Sequence, residues 1–99
     1  MAAQEQPSEI RRFERTTVLW SGELVYREQI VACVIVNISA GGAMVRVEDP
    51  AFIMTSVVLR NSRIGELAAE VLWRQDDELG LKFADDPETI AEIIGRALK

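Results

Sequence analysis

The chain has no histidine and a single cysteine, Cys33, among its 99 residues. Without histidine and with one thiol, neither an imidazole general base nor a Cys/His zinc site can be built. One cysteine also excludes an intrachain disulfide, and a cytoplasmic protein is the default expectation. Aromatic residues are scarce, at 6%, too few for the stacking surface of a single-strand nucleic-acid binder. Basic residues are outnumbered, 11 against 16 acids for a net charge of −5, whereas a protein that lives on duplex phosphates carries a basic surplus. No apolar run approaches the length of about 18–20 residues that spans a bilayer. Met1 to Pro7 is polar and lacks the apolar core of a secretory signal.

What is present is an ordinary globular balance, 48% hydrophobic and 27% charged, enough for one domain and its core. The charge is unevenly spread. Arg11, Arg12 and Arg15 face only Glu14 over five residues, whereas seven acids face three bases from Asp76 onward. An acidic body with one arginine spot suggests a small anionic ligand at that spot. The tight acidic clusters, Asp76-Asp77-Glu78 and Asp85-Asp86, lack the alternating oxygen donors of a calcium or magnesium loop and read as solvated turns. No metal and no cofactor is expected.

Residues 1–10 read as a flexible lead-in and residues 11–99 as a single domain. Thr16–Tyr26 is a strand candidate with a bulge or bend expected at Ser21-Gly22. Gln29–Ile38 is rich in β-branched residues and apolar on both faces, the pattern of a strand covered on both sides. Ala43–Val47, Thr55–Arg60, Glu66–Arg74 and Leu79–Phe83 follow as short strands, three of them with period-two alternation, separated by turn signals. Leu67, Ala69, Val71 and Trp73 share one face, which reads Trp73 as core; stacking on a ligand base is its other reading, and Trp20 is a further stacking candidate. Cys33 reads as a small buried hydrophobe. Asp86 and Pro87 then open a helix over 87–98, with Ile90, Ile93, Ile94, Ala97 and Leu98 on one face. The fold class is therefore all-β, a small six-stranded antiparallel barrel with one C-terminal helix, closed because closure removes exposed strand edges.

Two stretches exceed what a plain barrel requires. Arg11-Arg12-Phe13-Glu14-Arg15 precedes the first strand, and Asn37-Ile38-Ser39-Ala40-Gly41-Gly42 joins the second to the third. Arginine presents a rigid fork of donors that grips a phosphate or the O6/N7 edge of guanine. Asn37 and Ser39 offer an amide and a hydroxyl, expected on one strand face, and Gly41 and Gly42 permit a tight turn or a close approach.

Arg11-x-x-x-Arg15 followed by Asn37-x-Ser39-x-x-Gly42 resembles the two-part signature of the PilZ domain, RxxxR and [D/N]xSxxG, and Gly80-Leu81-Lys82-Phe83 is similar to the family's last barrel strand. The resemblance implies a stand-alone receptor for cyclic di-GMP, a bacterial second messenger. It implies arginine clamps at Arg11 and Arg15, with Arg12 beside them, barrel-side contacts at Asn37 and Ser39, and the turn at Gly41 and Gly42. Trp73 joins these as a ligand-binding candidate. Ile10 stands where many members carry a further arginine, which implies one ligand per site. The expected mechanism is ordering of the arginine loop, which then presents a new surface to an effector protein, by a monomer or weak dimer that neither binds nucleic acid nor enters a membrane. The alternative is a PilZ-like protein–protein interaction module that binds no nucleotide. An enzyme is disfavoured for want of a nucleophile–base pair.

Overall fold

A computed structural model of the chain describes residues 14–48 and 55–99. The lead-in, Arg11 and Arg12 therefore lie outside the described residues. The described chain forms β1 (Thr16–Tyr26), β2 (Gln29–Ile38), β3 (Gly42–Val47), β4 (Ser56–Asn61), β5 (Gly65–Gln75), β6 (Glu78–Phe83) and α1 (Pro87–Ala97). Every strand pairing is antiparallel, and the order β1-β2-β3-β6-β5-β4 closes on itself as a barrel. The expected all-β barrel with a C-terminal helix is thus the observed fold, and the bounds of β1 and β2 coincide with those read from the sequence.

Alternation fills the interior. Leu24, Ile35, Val45, Leu59, Leu79 and Leu81 point inward and are almost completely buried. Leu24 faces Leu59 across β1 and β4, and Ile35 faces Val45 across β2 and β3. α1 adds Ile90, Ile94 and Ala97 to the same core. It follows β6 closely, so it sits at the barrel end where β2 and β6 finish and β3 begins. Asp86 occupies the cap position, where its backbone carbonyl accepts from the Ile90 amide at 3.1 Å, but its side chain makes no capping bond. Leu98, expected on the core face, is 46% exposed because it follows the last helical turn.

Three further expectations are corrected. β2 is covered on one face only, since Ile30 and Val34 remain 56% and 39% exposed on the outer wall. The irregularity in β1 falls at Val18-Leu19, where Leu19 adopts φ 53, and not at Ser21-Gly22. Gly22 serves close approach instead: a Cβ there would meet the Arg60 carbonyl oxygen at 2.9 Å. Trp73 does not share the inward face of Leu67 and Ala69. The register of β5 against β6 shifts between Val71 and Trp73. The extra residue, Leu72, turns Trp73 to the outer wall.

Candidate functional site

A second bulge does for β2 what Leu72 does for β5. Ile35 pairs with Val45 but Asn37 pairs with Met44, leaving Val36 as the extra residue. Strict alternation from Cys33 and Ile35 would aim Asn37 into the core; the bulge aims it outward and returns Ile38 to the interior. Asn37 faces Met44, Met44 faces Gly80, and Gly80 faces Trp73. The two bulges therefore place a polar and an aromatic side chain in one cross-strand row on the outer wall. The Trp73 ring folds back over β6: a Cβ on Gly80 would overlap its Nε1 and Cε2 atoms. With strands about 4.8 Å apart, the seat of the ring lies about 10 Å from the strand that bears Asn37.

Arg15 joins this row from the entry to β1. Its Nη1 donates to Asn37 Oδ1 at 2.7 Å, a bond between side chains 22 residues apart. Partial burial lowers the guanidinium pKa from its ordinary value, yet an arginine stays charged at any physiological pH. The bond uses one of the five donors of the guanidinium fork.

The turn after β2 is built around Ser39. β2 ends at Ile38, so Ser39 does not continue the face of Asn37; it is 2% exposed. Its Oγ accepts from the amides of Gly41 and Gly42 at 3.2 and 3.3 Å. Its own amide donates to the Gly42 carbonyl at 2.8 Å. The hydroxyl thus fixes the loop that follows Asn37. Gly42 is required by proximity: a Cβ there would overlap the Leu81 carbonyl oxygen on β6 and meet its carbon at 3.1 Å. The Gly41 carbonyl accepts from the Phe83 amide at 3.0 Å, tying the loop to the end of β6.

The PilZ domain profile matches residues 9–99. The chain belongs to the PilZ domain family. Among solved structures, the PilZ domain of CeSA from a cellulose-synthesizing bacterium superposes with TM-score 0.68 at 22% identity, covering 84% of this chain and 92% of that one. An uncharacterised Legionella protein superposes with TM-score 0.61 at 22% identity, covering 84% and 91%. At such identity these neighbours establish the fold alone. No curated protein matches the chain in sequence.

The remaining candidates in this PilZ domain separate cleanly. Trp20 packs against the core beneath Arg63, whose guanidinium carbon lies 5.1 Å from the ring centre, so it is not part of the outer row. Cys33 is buried, and burial together with the charge of Glu23 pushes its thiol up to about 12. Such a thiol is a poor nucleophile. Asp77 and Glu78 engage Arg46 at 3.9 and 3.0 Å. Among the described residues no group of acidic or thiol side chains could hold a metal, and no helix is long and apolar enough to cross a membrane. Met44 is the member of the row that motif reading missed, and Gly80 was read only as part of the last strand, without its place beneath Trp73. Both roles become visible only through the cross-strand register.

Proposed function

We propose that this PilZ domain binds cyclic di-GMP on the outer wall of the barrel and acts as a signalling receptor, not an enzyme. The observation that carries the reading is the 2.7 Å bond between Arg15 and Asn37, which brings the two halves of the signature together on one surface. Arg15 and Arg11 grip the phosphates and the guanine O6/N7 edge, with Arg12 adding positive charge. Asn37 bonds the second guanine edge, and Trp73, seated on Gly80, offers a stacking face. Ser39, Gly41 and Gly42 hold the loop that presents Asn37. The Arg15–Asn37 bond is a placeholder: a phosphate takes over the guanidinium through stronger charge-assisted bonds and frees the amide for a base.

Binding then neutralises a segment that carries three arginines against one glutamate and fixes it against the barrel, an order–disorder transition. The surface so formed is read by an effector protein in the cytoplasm. Titration with cyclic di-GMP, GTP and a short oligonucleotide, followed by tryptophan fluorescence, tests the reading. Saturation by cyclic di-GMP alone upholds it. Silence toward all three ligands would overturn it in favour of a protein-interaction module.

A further inference from the structure

α1 is charged in two halves. Glu88 and Glu92 stand in its first part, Arg96 and Lys99 at and just beyond its end, and all four are exposed. Among the described residues none of the four is in an ion pair. Beside them Ala91, Gly95 and Leu98 form one wall of a groove of about 280 Å³, with Glu14, Thr16 and the end of β2 opposite. Spacing by three and four places these charged and groove residues on the side of the helix turned away from the core residues Ile90 and Ala97. Two features of this side do nothing for the fold. A Cβ built on Gly95 would meet nothing within 4 Å, and the residue has no positive φ, yet a glycine inside a helix is destabilising relative to alanine. Leu98, next along the same wall, is exposed.

The helix dipole favours acids at a helix start and bases at its end. That accounts for the order of the charges but calls for neither a bare glycine nor an exposed leucine. A second copy of α1 accounts for all three. Laid parallel, two copies set like charges side by side. Laid antiparallel about a twofold axis, they set Glu88 and Glu92 of each toward Arg96 and Lys99 of the other. An axis near Gly95 brings the two glycines together, where the missing side chains admit close approach, and lays each Leu98 over the other copy's Ala91. We propose that this side of α1 is a self-pairing surface on which two copies of the chain dock antiparallel, Leu98 of each seated in the groove of the other. Glu14, on the far wall of the groove, receives the Lys99 that follows the incoming leucine. The pairing does not rest on the function proposed above.

Sedimentation equilibrium on the ligand-free protein tests it. α1 is 11 residues long, about 16 Å, so the contact lies below the area of about 1,200 Å² that marks stable complexes. The dimer is therefore weak, with a dissociation constant on the order of 100 µM. From about tenfold below to about tenfold above that concentration the wild type is expected to pass from monomer to dimer. Glu88→Lys with Glu92→Lys, and Arg96→Glu with Lys99→Glu, each bring like charges together and are expected to weaken self-association about tenfold or more. An equimolar mixture of these two variants is expected to form a mixed dimer. Leu98→Ala and Gly95→Leu leave the charges in place and act on the groove alone, each weakening the dimer about fivefold. Circular dichroism checks that every variant keeps its fold; should a charge-reversed one lose it, the two groove variants decide. A wild-type dimer that the variants weaken and the mixture restores upholds the proposal. A dimer indifferent to both groove variants overturns it, as do folded charge-reversed variants that do not pair when mixed. A wild type that stays monomeric over the whole range also overturns it, and a melting temperature that then falls with Leu98→Ala assigns the groove to another part of the same chain.

Discussion

Alanine at position 80 puts a methyl group where the Trp73 indole now lies, overlapping Nε1 and Cε2 and reaching Cδ1 at 2.8 Å. The obstacle is a surface side chain, 38% exposed, so the ring moves and the backbone stays. A ring swung fully into water forfeits about 4 kcal/mol at most, from about 150 Å² at about 25 cal/mol per Å². A ring that slides sideways keeps one flank in contact and loses about half of that. Replacing a strand glycine returns about 0.5–1 kcal/mol. The net cost of Gly80→Ala is therefore about 1–1.5 kcal/mol, a fall in melting temperature of about 4–12 °C for a domain of this size. The effect on ligand is larger in proportion: a displaced stacking face is worth about 1–3 kcal/mol per base, a loss of about 5–150-fold in affinity. Calorimetry on Gly80→Ala, Trp73→Ala and the double variant measures this. Because both single changes remove the same stacked ring, their losses should not add. Wild-type affinity in Gly80→Ala alongside weak binding in Trp73→Ala would refute the idea that the glycine seats the ring. Wild-type affinity in both would remove Trp73 from the site.

Arg15→Ala deletes a charge-assisted pair worth about 1.5–3 kcal/mol and should weaken cyclic di-GMP binding about 10–100-fold while leaving the melting temperature nearly unchanged, as paired titration and thermal unfolding would show. Arg15→Lys should recover little of it, since an ammonium lacks the planar fork. Ser39→Ala leaves the Gly41 and Gly42 amides without their hydroxyl acceptor, at a cost of about 1–3 kcal/mol in denaturant unfolding. The Cys33 thiol is neutral when protonated, and its folded pKa of about 12 lies above the unfolded value of 9.0. Its contribution is fully present below pH 9 and declines as pH rises from 9 toward 12. Denaturant unfolding across pH 7–11 should show a steeper alkaline fall in the wild type than in Cys33→Ala; equal slopes would remove the thiol as a cause.

Regular alternation made much of this barrel readable in advance. β-branched density and turn residues delimited β1 and β2 to the residue, and Ala43, Val45 and Val47 fell inward as their spacing required. The bulges were not readable. Val36, Leu72 and Leu19 are ordinary apolar residues, and glycine, the residue by which an irregularity is usually recognised, marks none of them. An inserted strand residue is defined by what lies opposite, which is a property of the partner strand. Trp73 was placed on the core side for that reason, and β2 was expected to be covered twice because composition does not say where a neighbouring layer ends. For the site, Asn37 and Arg15 were identifiable from their motifs, but their direct bond and the row through Met44 and Gly80 depend on pairings between distant segments. Ser39 was recognised as a polar group near the site, and only its depth shows that the loop itself consumes its hydroxyl.

The ring of strand pairings has a consequence for how a signal leaves the molecule. β4 is bonded to β1 through Glu23–Val25 and Val58–Arg60, so along that stretch the described barrel offers a partner no free amides and carbonyls to extend by adding a strand of its own. Along that stretch, recognition by a partner falls to side chains on the outer wall. Substitutions on that wall would then alter partner choice while Arg15 and Asn37, proposed above to read the ligand, stay as they are.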